Sequence, residues 1–202
     1  MRDREEFSEL LRRYFSPVGR LSTAQVQQLQ GHYRLLVGWN KVLNLTSVRD
    51  LEGVVVRHYC ESLFCGLHLP PEAVSVLDVG SGAGFPGIPM AVERPDCRFT
   101  LAESHQRKAV FLREATRELG NVRVEARRVE GMAEHFDCVV ARAVKWEGVL
   151  GAICRLGWWV GLLVGEAEAE RLAARRGFEW RAPIRLPWGE RRVLLVGRVR
   201  ST

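Results

Sequence analysis

The chain has 202 residues, of which 47% are hydrophobic and 27% are charged, and its formal net charge is +6. This size and composition predict a globular protein with one domain and a sizeable core, and no apolar stretch is long enough to cross a bilayer. The charged N-terminal segment is unlike a signal peptide and favours a cytoplasmic protein, while the positive charge fits a nucleic-acid partner as well as an ordinary solvated surface.

The first 70 residues are predicted to be helical. Three helices are indicated, over residues 3–15, 22–40 and about 50–68. The second begins with a capping box at Ser22, and the third ends before Pro70, which cannot continue a helix. We therefore predict an N-terminal helical extension over residues 1–70 that packs on a core domain over residues 71–202, although the two could be counted as one domain.

Beyond Pro70 and Pro71, short apolar strands alternate with helices. Strands are predicted over residues 74–79, 98–102, 122–126, 137–141, 158–164, 178–187 and 192–198. Helices are predicted over residues 85–93, 104–119, 129–134, 146–155 and 168–176. This alternation predicts an α/β fold with a mostly parallel seven-stranded sheet covered on both faces, and the last two strands predict an antiparallel hairpin at its edge.

Five cysteines are scattered along the chain: Cys60, Cys65, Cys97, Cys138 and Cys154. Their number is odd and their spacing matches no metal site, so we expect small buried side chains in a reducing compartment. His58 and His105 are too isolated in the sequence to indicate a metal site, and no metal is expected.

The segment VLDVGSGAGFPGIPM, residues 76–90, contains a glycine-rich turn between the first predicted strand and a helix. Gly80, Gly82 and Gly84 can take positive φ angles and carry no Cβ that would keep a ligand away. The helix that follows is expected to begin with free N–H groups nearby, which favours an anionic or carbonyl-bearing group. Because ligands of open α/β sheets lie at the carboxyl ends of the strands, this turn is a candidate ligand site.

Two carboxylates and the glycine spacing indicate which ligand the turn would bind. Glu103 ends the second predicted strand, where a carboxylate can accept hydrogen bonds from a ribose diol. Dinucleotide sites favour G-x-G-x-x-G, whereas G-x-G-x-G follows Asp78 here, which disfavours a nicotinamide-dependent oxidoreductase. The D-x-G-x-G-x-G form resembles the first motif of S-adenosylmethionine-dependent methyltransferases. A tight turn without a ligand is the structural alternative, and Asp78 and Glu103 favour cofactor binding over it.

The fused phrase GSGAGFPGIP is more specific than its glycines, and further motifs accompany it in order. They are Asn44-Leu45-Thr46, RHYCES at residues 57–62, Arg128-Val129-Glu130, Ala141-Arg142-Ala143 and GERRVL at residues 189–194. Through these motifs the chain resembles, over about residues 7–199, the bacterial small-subunit ribosomal RNA guanine-N7 methyltransferases, known as RsmG and earlier as glucose-inhibited division protein B. Glu61 stands where that family usually has Asp.

The resemblance implies a Rossmann-like methyltransferase fold that binds S-adenosylmethionine. With the glycine turn, the expected cofactor-binding residues are Gly80, Gly82, Gly84, Phe85, Glu103, Val129, Glu130 and Arg142. Val129 and Glu130 would flank the adenine, and Arg142, the expected catalytic residue, would lie where cofactor and target base meet. A core aromatic is the alternative for Phe85, and a surface salt bridge is the alternative for Arg142. His58 and Glu61 share a helix face that either closes over the pocket or is an ordinary packed contact.

The implied reaction is methyl transfer to N7 of a guanine in 16S ribosomal RNA, carried out by a monomer on that RNA or on the small ribosomal subunit. Guanine N7 already has a free lone pair, so no acid/base pair is expected, and orientation alone can be worth roughly 7–11 kcal/mol. Arg142 could bond the O6/N7 edge of the base or a nearby phosphate. Basic residues that could hold phosphates follow Glu103: Arg107, Lys108, Arg113 and Arg117.

One departure from the family leaves alternatives open. Members usually have a Lys-Gly pair after the fifth strand, whereas this chain has Val164-Gly165. This favours the alternative of an RNA-binding module with a degenerate methyltransferase fold, while the glycine turn, Glu103 and Arg142 favour the enzyme. A methyltransferase of small molecules is a third alternative, and it would bind its substrate without salt dependence.

Overall fold

The structure, a computed structural model, describes residues 2–200 and the side chains of residues 5–146 and 148–200. The helices are α1 (Arg2–Phe15), α2 (Thr23–Leu43), α3 (Leu51–Val54), α4 (Glu61–His68), α5 (Gly87–Glu93), α6 (Gln106–Ala115), α7 (Trp146–Leu156) and α8 (Glu166–Ala173). The strands are β1 (Ser75–Val79), β2 (Arg98–Ala102), β3 (Val122–Glu125), β4 (Phe136–Arg142), β5 (Gly157–Gly165), β6 (Phe178–Trp180), β7 (Ile184–Arg185) and β8 (Arg192–Val199). A π-helical turn, Val55–Cys60, joins α3 to α4, and a 3-10 turn, Val129–Gly131, follows β3.

The strands form one sheet in the order β3-β2-β1-β4-β5-β8-β6, with β7 paired to β8 beside β6. Strands β1 to β5 are parallel, and β8 is antiparallel to its neighbours. The predicted parallel sheet with an antiparallel edge is therefore confirmed. It has eight strands where seven were predicted, because the predicted strand over residues 178–187 is divided into β6 and β7 around Pro183, which has no N–H for the ladder.

Apolar side chains cover both faces of the sheet. Leu77 and Val139 lie in a core with residues of α7 and α8, whereas the alternate positions Val76 and Val140 face α4 and α5. A third apolar group packs α1 and α2 against the glycine-rich turn, and it includes buried Phe7. The N-terminal helices thus contact the layer that carries the turn, and the division into domains at residue 70 stays a prediction.

The N-terminal helices differ from the predicted ones in two places. α2 continues to Leu43, beyond the predicted end, and Asn44 then ends it in the left-handed conformation at φ 47°. The helix predicted over residues 50–68 is interrupted by the π-helical turn, which widens the backbone around His58. Its predicted end before the two prolines is confirmed at His68.

Several helices of the core also differ from prediction, and α8 spans Glu166–Ala173 where residues 168–176 were predicted. α5 begins at Gly87 rather than residue 85, because Phe85 precedes a proline and is disfavoured in a helical conformation. α6 ends at Ala115, since the Thr116 hydroxyl donates to the Leu112 carbonyl (2.8 Å) and a turn replaces the predicted last helical residues. The helix predicted over residues 129–134 is a single 3-10 turn.

The predicted burial of the cysteines is confirmed for four of the five, and the reducing compartment stays a prediction. Four are buried and Cys154 is half-buried, and all are unpaired thiols. Among the described residues no group of three or more His, Cys, Asp or Glu could hold a metal ion. No helix of the same part of the chain is long and apolar enough to cross a membrane.

Candidate active site

The carboxyl ends of three central strands bring three predicted site residues together. Val79 and Ala102, the last residues of β1 and β2, are paired in one row with Ala141, the next-to-last residue of β4. The next residues along the chain are Gly80, Glu103 and Arg142, so they lie side by side at this edge of the sheet. The strand order reverses between β1 and β4, which is where open α/β sheets bind their ligands.

The glycines of the turn are needed for different reasons. All three have positive φ, at 68° for Gly80, 56° for Gly82 and 89° for Gly84. A Cβ on Gly84 would lie 2.3 Å from Ile88 Cδ1, so this glycine is required by packing. A Cβ on Gly82 would meet no protein atom closer than the Gly80 carbonyl oxygen at 3.8 Å. The space over Gly82 is therefore open, as a cofactor site requires.

Asp78 anchors the far side of the turn from inside the protein. It is 1% exposed, and its Oδ2 accepts a hydrogen bond from the Gly87 N–H (3.0 Å). A Cβ on Gly87 would lie 2.6 Å from that oxygen, so Gly87 has to be glycine for α5 to begin here. Burial raises the pKa of Asp78 to about 7, and its Oδ1 has no hydrogen-bond partner among the described residues.

Glu103 anchors the near side of the turn. Its Oε2 accepts from the Gly82 N–H (3.0 Å), and its Oε1 accepts from the His105 N–H (2.7 Å). The side chain is buried, and each carboxylate oxygen keeps a second lone pair for a ligand. The contact of Glu103 with a ribose diol stays a prediction. The structure shows in addition that Glu103 fixes Gly82, the glycine with open space above it, through a hydrogen bond.

The expectation of free N–H groups at the start of α5 is wrong. The Gly87 N–H donates to Asp78, and the Ile88 N–H donates to the Gly84 carbonyl (2.8 Å). Both N–H groups are therefore bonded to acceptors within the protein and are not available to a ligand. The open space over Gly82 and the carboxylate of Glu103 nevertheless fit an adenosyl cofactor with a ribose diol.

Arg142 is held by the helical turn that precedes α4. Its guanidinium donates to the Arg57 carbonyl (2.5 Å) and to Nδ1 of His58 (2.9 Å), and its side chain is 13% exposed. Burial lowers the pKa of Arg142 to about 10, and the carboxylate of Glu61 opposes that shift. The alternative of a surface salt bridge for Arg142 is wrong, since this guanidinium is mostly enclosed.

Glu61 lies between two arginines that are distant in sequence. It is fully buried, with Oε2 2.8 Å from the Arg192 guanidinium and 4.0 Å from that of Arg142. Burial raises the pKa of Glu61, and the two positive charges oppose this effect. The RHYCES and GERRVL motifs therefore meet at the end of β4.

His58 continues this network toward the NLT motif. Because its Nδ1 accepts from Arg142, its Nε2–H donates to the Thr46 hydroxyl (2.6 Å). Burial lowers the pKa of His58 to about 3, so the neutral imidazole is the form present near neutral pH. Its ring stacks on Phe85 at a centroid distance of 4.7 Å. The shared face of His58 and Glu61 thus contacts both the glycine turn and Arg142.

The remaining predicted cofactor residues lie around the same edge. Phe85 is 7% exposed and packs among aromatic side chains, and its contact with the cofactor stays a prediction. Val129 is buried beside the ends of β1 and β2, and Glu130 is exposed on the 3-10 turn. Their contacts with an adenine stay predictions.

Three residues of this region were missed by sequence reasoning. Arg192 pairs with Glu61, as described above. Arg155 donates to the Glu130 carbonyl (3.1 Å) and to the Met132 carbonyl, which fixes the 3-10 turn. His32, buried on α2, bonds the Ala83 carbonyl of the glycine turn (2.9 Å). Their partners are far away in sequence, and the GERRVL motif was the only signal for any of them.

Val164, where the family usually has lysine, lies in the core. It is 3% exposed and is paired with Val193 of β8. Its side chain packs in the same apolar group as Val79 and Ala141. The substitution therefore leaves the cluster around Arg142 intact.

Comparisons with known proteins show which family this chain is similar to. A family model described as rRNA small subunit methyltransferase G matches residues 25–156. The ribosomal RNA small subunit methyltransferase G of Pelotomaculum thermopropionicum is 38% identical over 198 residues, 87% of this chain and 83% of that protein. The protein of that name from Sodalis glossinidius is 44% identical over 127 residues, and that match spans 61% of its length and 61% of this chain.

A solved structure shows the fold. The SAM dependent methyltransferase from Aquifex aeolicus superimposes with a TM-score of 0.62 at 13% identity, over 77% of this chain and 97% of that one. At this low identity the likeness concerns the fold alone, and it confirms the predicted Rossmann-like methyltransferase fold.

We predict that Gly82→Ala weakens the binding of S-adenosylmethionine at least about tenfold, since the new methyl group occupies the open space over the turn. The left-handed conformation of an alanine there should cost only about 1–2 kcal/mol of unfolding free energy. Titration calorimetry and thermal unfolding measure the two effects. Gly120→Ala, at an exposed position with no atom within 4 Å of the added Cβ, is the control. Equal affinities of wild type and Gly82→Ala would refute this placement.

Glu61→Ala should lower the unfolding free energy by about 3 kcal/mol, because it leaves two guanidinium groups without their shared carboxylate. Urea unfolding of the variant beside wild type measures the loss. Glu118→Ala removes an exposed carboxylate and should change stability by less than about 0.5 kcal/mol. If the two variants are equally stable, the buried charges contribute nothing to folding.

The raised pKa of Asp78 predicts a pH dependence of stability. The pKa of Asp78 is about 7 in the folded protein and 3.8 without burial. Its contribution to the free energy of unfolding is therefore complete below pH ~4 and is lost as the pH rises through ~7. Relative to Asp78→Asn, wild type should lose on the order of 4 kcal/mol of unfolding free energy across that range. Urea titrations of both proteins at several pH values test this, and parallel pH profiles would contradict it.

Proposed function

This chain belongs to the ribosomal RNA small subunit methyltransferase G family, and we propose that it transfers a methyl group to N7 of a guanine in 16S ribosomal RNA. The chain is a methyltransferase by family, and S-adenosylmethionine is its cofactor. The small ribosomal subunit or its RNA is the proposed substrate, and a ribosomal substrate implies a cytoplasmic location. The expectation of a monomer stays a prediction.

The proposal depends most on the position of Arg142 beside the glycine turn. Arg142 follows Ala141, the partner of Val79 in the sheet, and a Cβ on Gly80 would lie 3.0 Å from Val144 Cγ1 on the same connection. A cofactor over Gly82 would therefore have its reactive end near the guanidinium. An arginine at that point can bond the O6 edge of a guanine and leave the N7 lone pair free.

The protonation states around Arg142 agree with a reaction that needs no general base. Guanine N7 loses no proton when it is methylated. His58 is neutral, and both ring nitrogens are engaged by protein groups, so it holds Arg142 and moves no proton. Orientation then supplies most of what the protein contributes, an effect worth roughly 7–11 kcal/mol in favourable cases.

The residues of the site have separate roles in binding the cofactor and in orienting the base. Bound S-adenosylmethionine supplies an electrophilic methyl group with a neutral leaving group. Gly82 leaves space for the cofactor, and Glu103 is placed to accept hydrogen bonds from its ribose. Arg142, fixed through His58 and Glu61, orients the base. A guanine inside folded RNA has to be exposed before it can enter, most easily from a loop.

Mapping of 7-methylguanine tests the proposal. We predict that small-subunit RNA loses one such modification in cells without the gene and regains it when the gene is restored. Arg142→Ala should fail to restore it, with the rate of methyl transfer lowered at least about 100-fold. Arg142→Lys, which keeps the charge and loses the planar fork, should restore it only in part.

The matched control is Arg98→Ala, which removes an exposed arginine at the opposite end of the sheet and should restore the modification fully. Thermal unfolding of each variant separates a lost fold from lost chemistry. An unchanged modification pattern in cells without the gene would overturn the proposed function, and full activity of Arg142→Ala would overturn the role of that residue. Binding of ribosomal RNA without saturable binding of S-adenosylmethionine in calorimetry would favour the RNA-binding module instead.

A further inference from the structure

A second cleft lies close to the site, between the C-terminal half of α2 and the loop after it. Its volume is about 230 Å³, and its apolar lining includes Leu36, Val37 and Val48. Val37 is 45% exposed, so part of this apolar lining faces solvent. Lys41 and Arg49 also line the cleft, one on each of the two segments that form it.

The two cations of this cleft are not used by the fold. Lys41 and Arg49 are exposed, and within the described part of the chain neither side chain has an ion pair or hydrogen bond. The neighbouring acidic side chain of Asp50 accepts from the Gly53 N–H and caps α3. The cleft therefore combines an apolar lining with two positive charges that are free to meet an anionic partner.

The cleft is connected to Arg142 through two hydrogen bonds. Thr46 lines it and accepts from His58, which in turn accepts from Arg142. Thr46 is itself fixed, because its N–H donates to the Asn40 side chain (2.9 Å) and its carbonyl accepts from that side chain (3.1 Å). An RNA strand that places one nucleotide at Arg142 would thus have its neighbouring nucleotides within reach of this cleft.

We propose that this cleft binds the RNA strand next to the target nucleotide, with Lys41 and Arg49 on phosphates and an unstacked base on the apolar lining. The proposal rests on the proposed function, since it takes RNA as the substrate. Phosphates match the two free cations, and a base face matches the exposed apolar surface. An acidic segment of a ribosomal protein is the competing occupant. RNA is favoured because the adjoining site acts on an RNA base.

Binding of full-length protein to labelled, naked 16S ribosomal RNA tests the proposal across about 50–200 mM salt. Each phosphate contact that is removed should reduce the slope of log affinity against log salt by about 1. We predict this reduction for Lys41→Gln and for Arg49→Gln, and about twice that for the double variant. Arg98→Gln, at the opposite end of the sheet, removes the same charge and should leave the slope unchanged.

The same variants are also measured with intact small subunits. Slopes that change on naked RNA and on subunits support the proposal. Slopes that change on subunits alone would overturn the proposal in favour of a ribosomal-protein contact. Slopes equal to those of wild type on naked RNA and on subunits would show that the cleft does not contact the substrate. Because binding is measured without methyl transfer, wild type that binds RNA but leaves N7 unmethylated would contradict the proposed function and leave the cleft result standing.

Discussion

The backbone between β1 and α5 crosses the carboxyl edge of the sheet with glycine at three positions, and two buried carboxylates hold it there. Asp78 accepts from Gly87 on one side, and Glu103 accepts from Gly82 on the other. These bonds offset only part of the solvation lost on burial, since the pKa of Asp78 is still raised to about 7. The cofactor space and the direction of α5 follow from that fixed backbone.

The N-terminal helices are part of this site rather than an addition to it. The helical segment that carries His58 and Glu61 supplies the hydrogen bonds and the negative charge that hold Arg142. α2 supplies His32, which bonds the turn itself. A core that began at β1 would leave Arg142 and Arg192 without their shared counter-ion Glu61, so the fold and the chemistry depend on the same contacts.

Sequence reasoning was successful where a signal is local. The glycine spacing, the apolar strands and the strand-end residues Glu103 and Arg142 could be predicted, because a motif of a few residues specifies each of them. The pairing of Glu61 with Arg192 could not, since 131 positions separate them and only the folded sheet brings them together. Free N–H groups on α5 were predicted wrongly, because the pattern did not show that Asp78 turns inward and uses one of them.

A crystal structure of the protein with S-adenosylmethionine is the most direct test of the central claim. The account predicts an adenosyl group over Gly82, with the ribose hydroxyls within hydrogen-bond distance of Glu103 and the methyl group directed toward the open side of Arg142. A cofactor bound elsewhere, or a turn that has to rearrange around new side-chain contacts before it admits the ligand, would contradict the account.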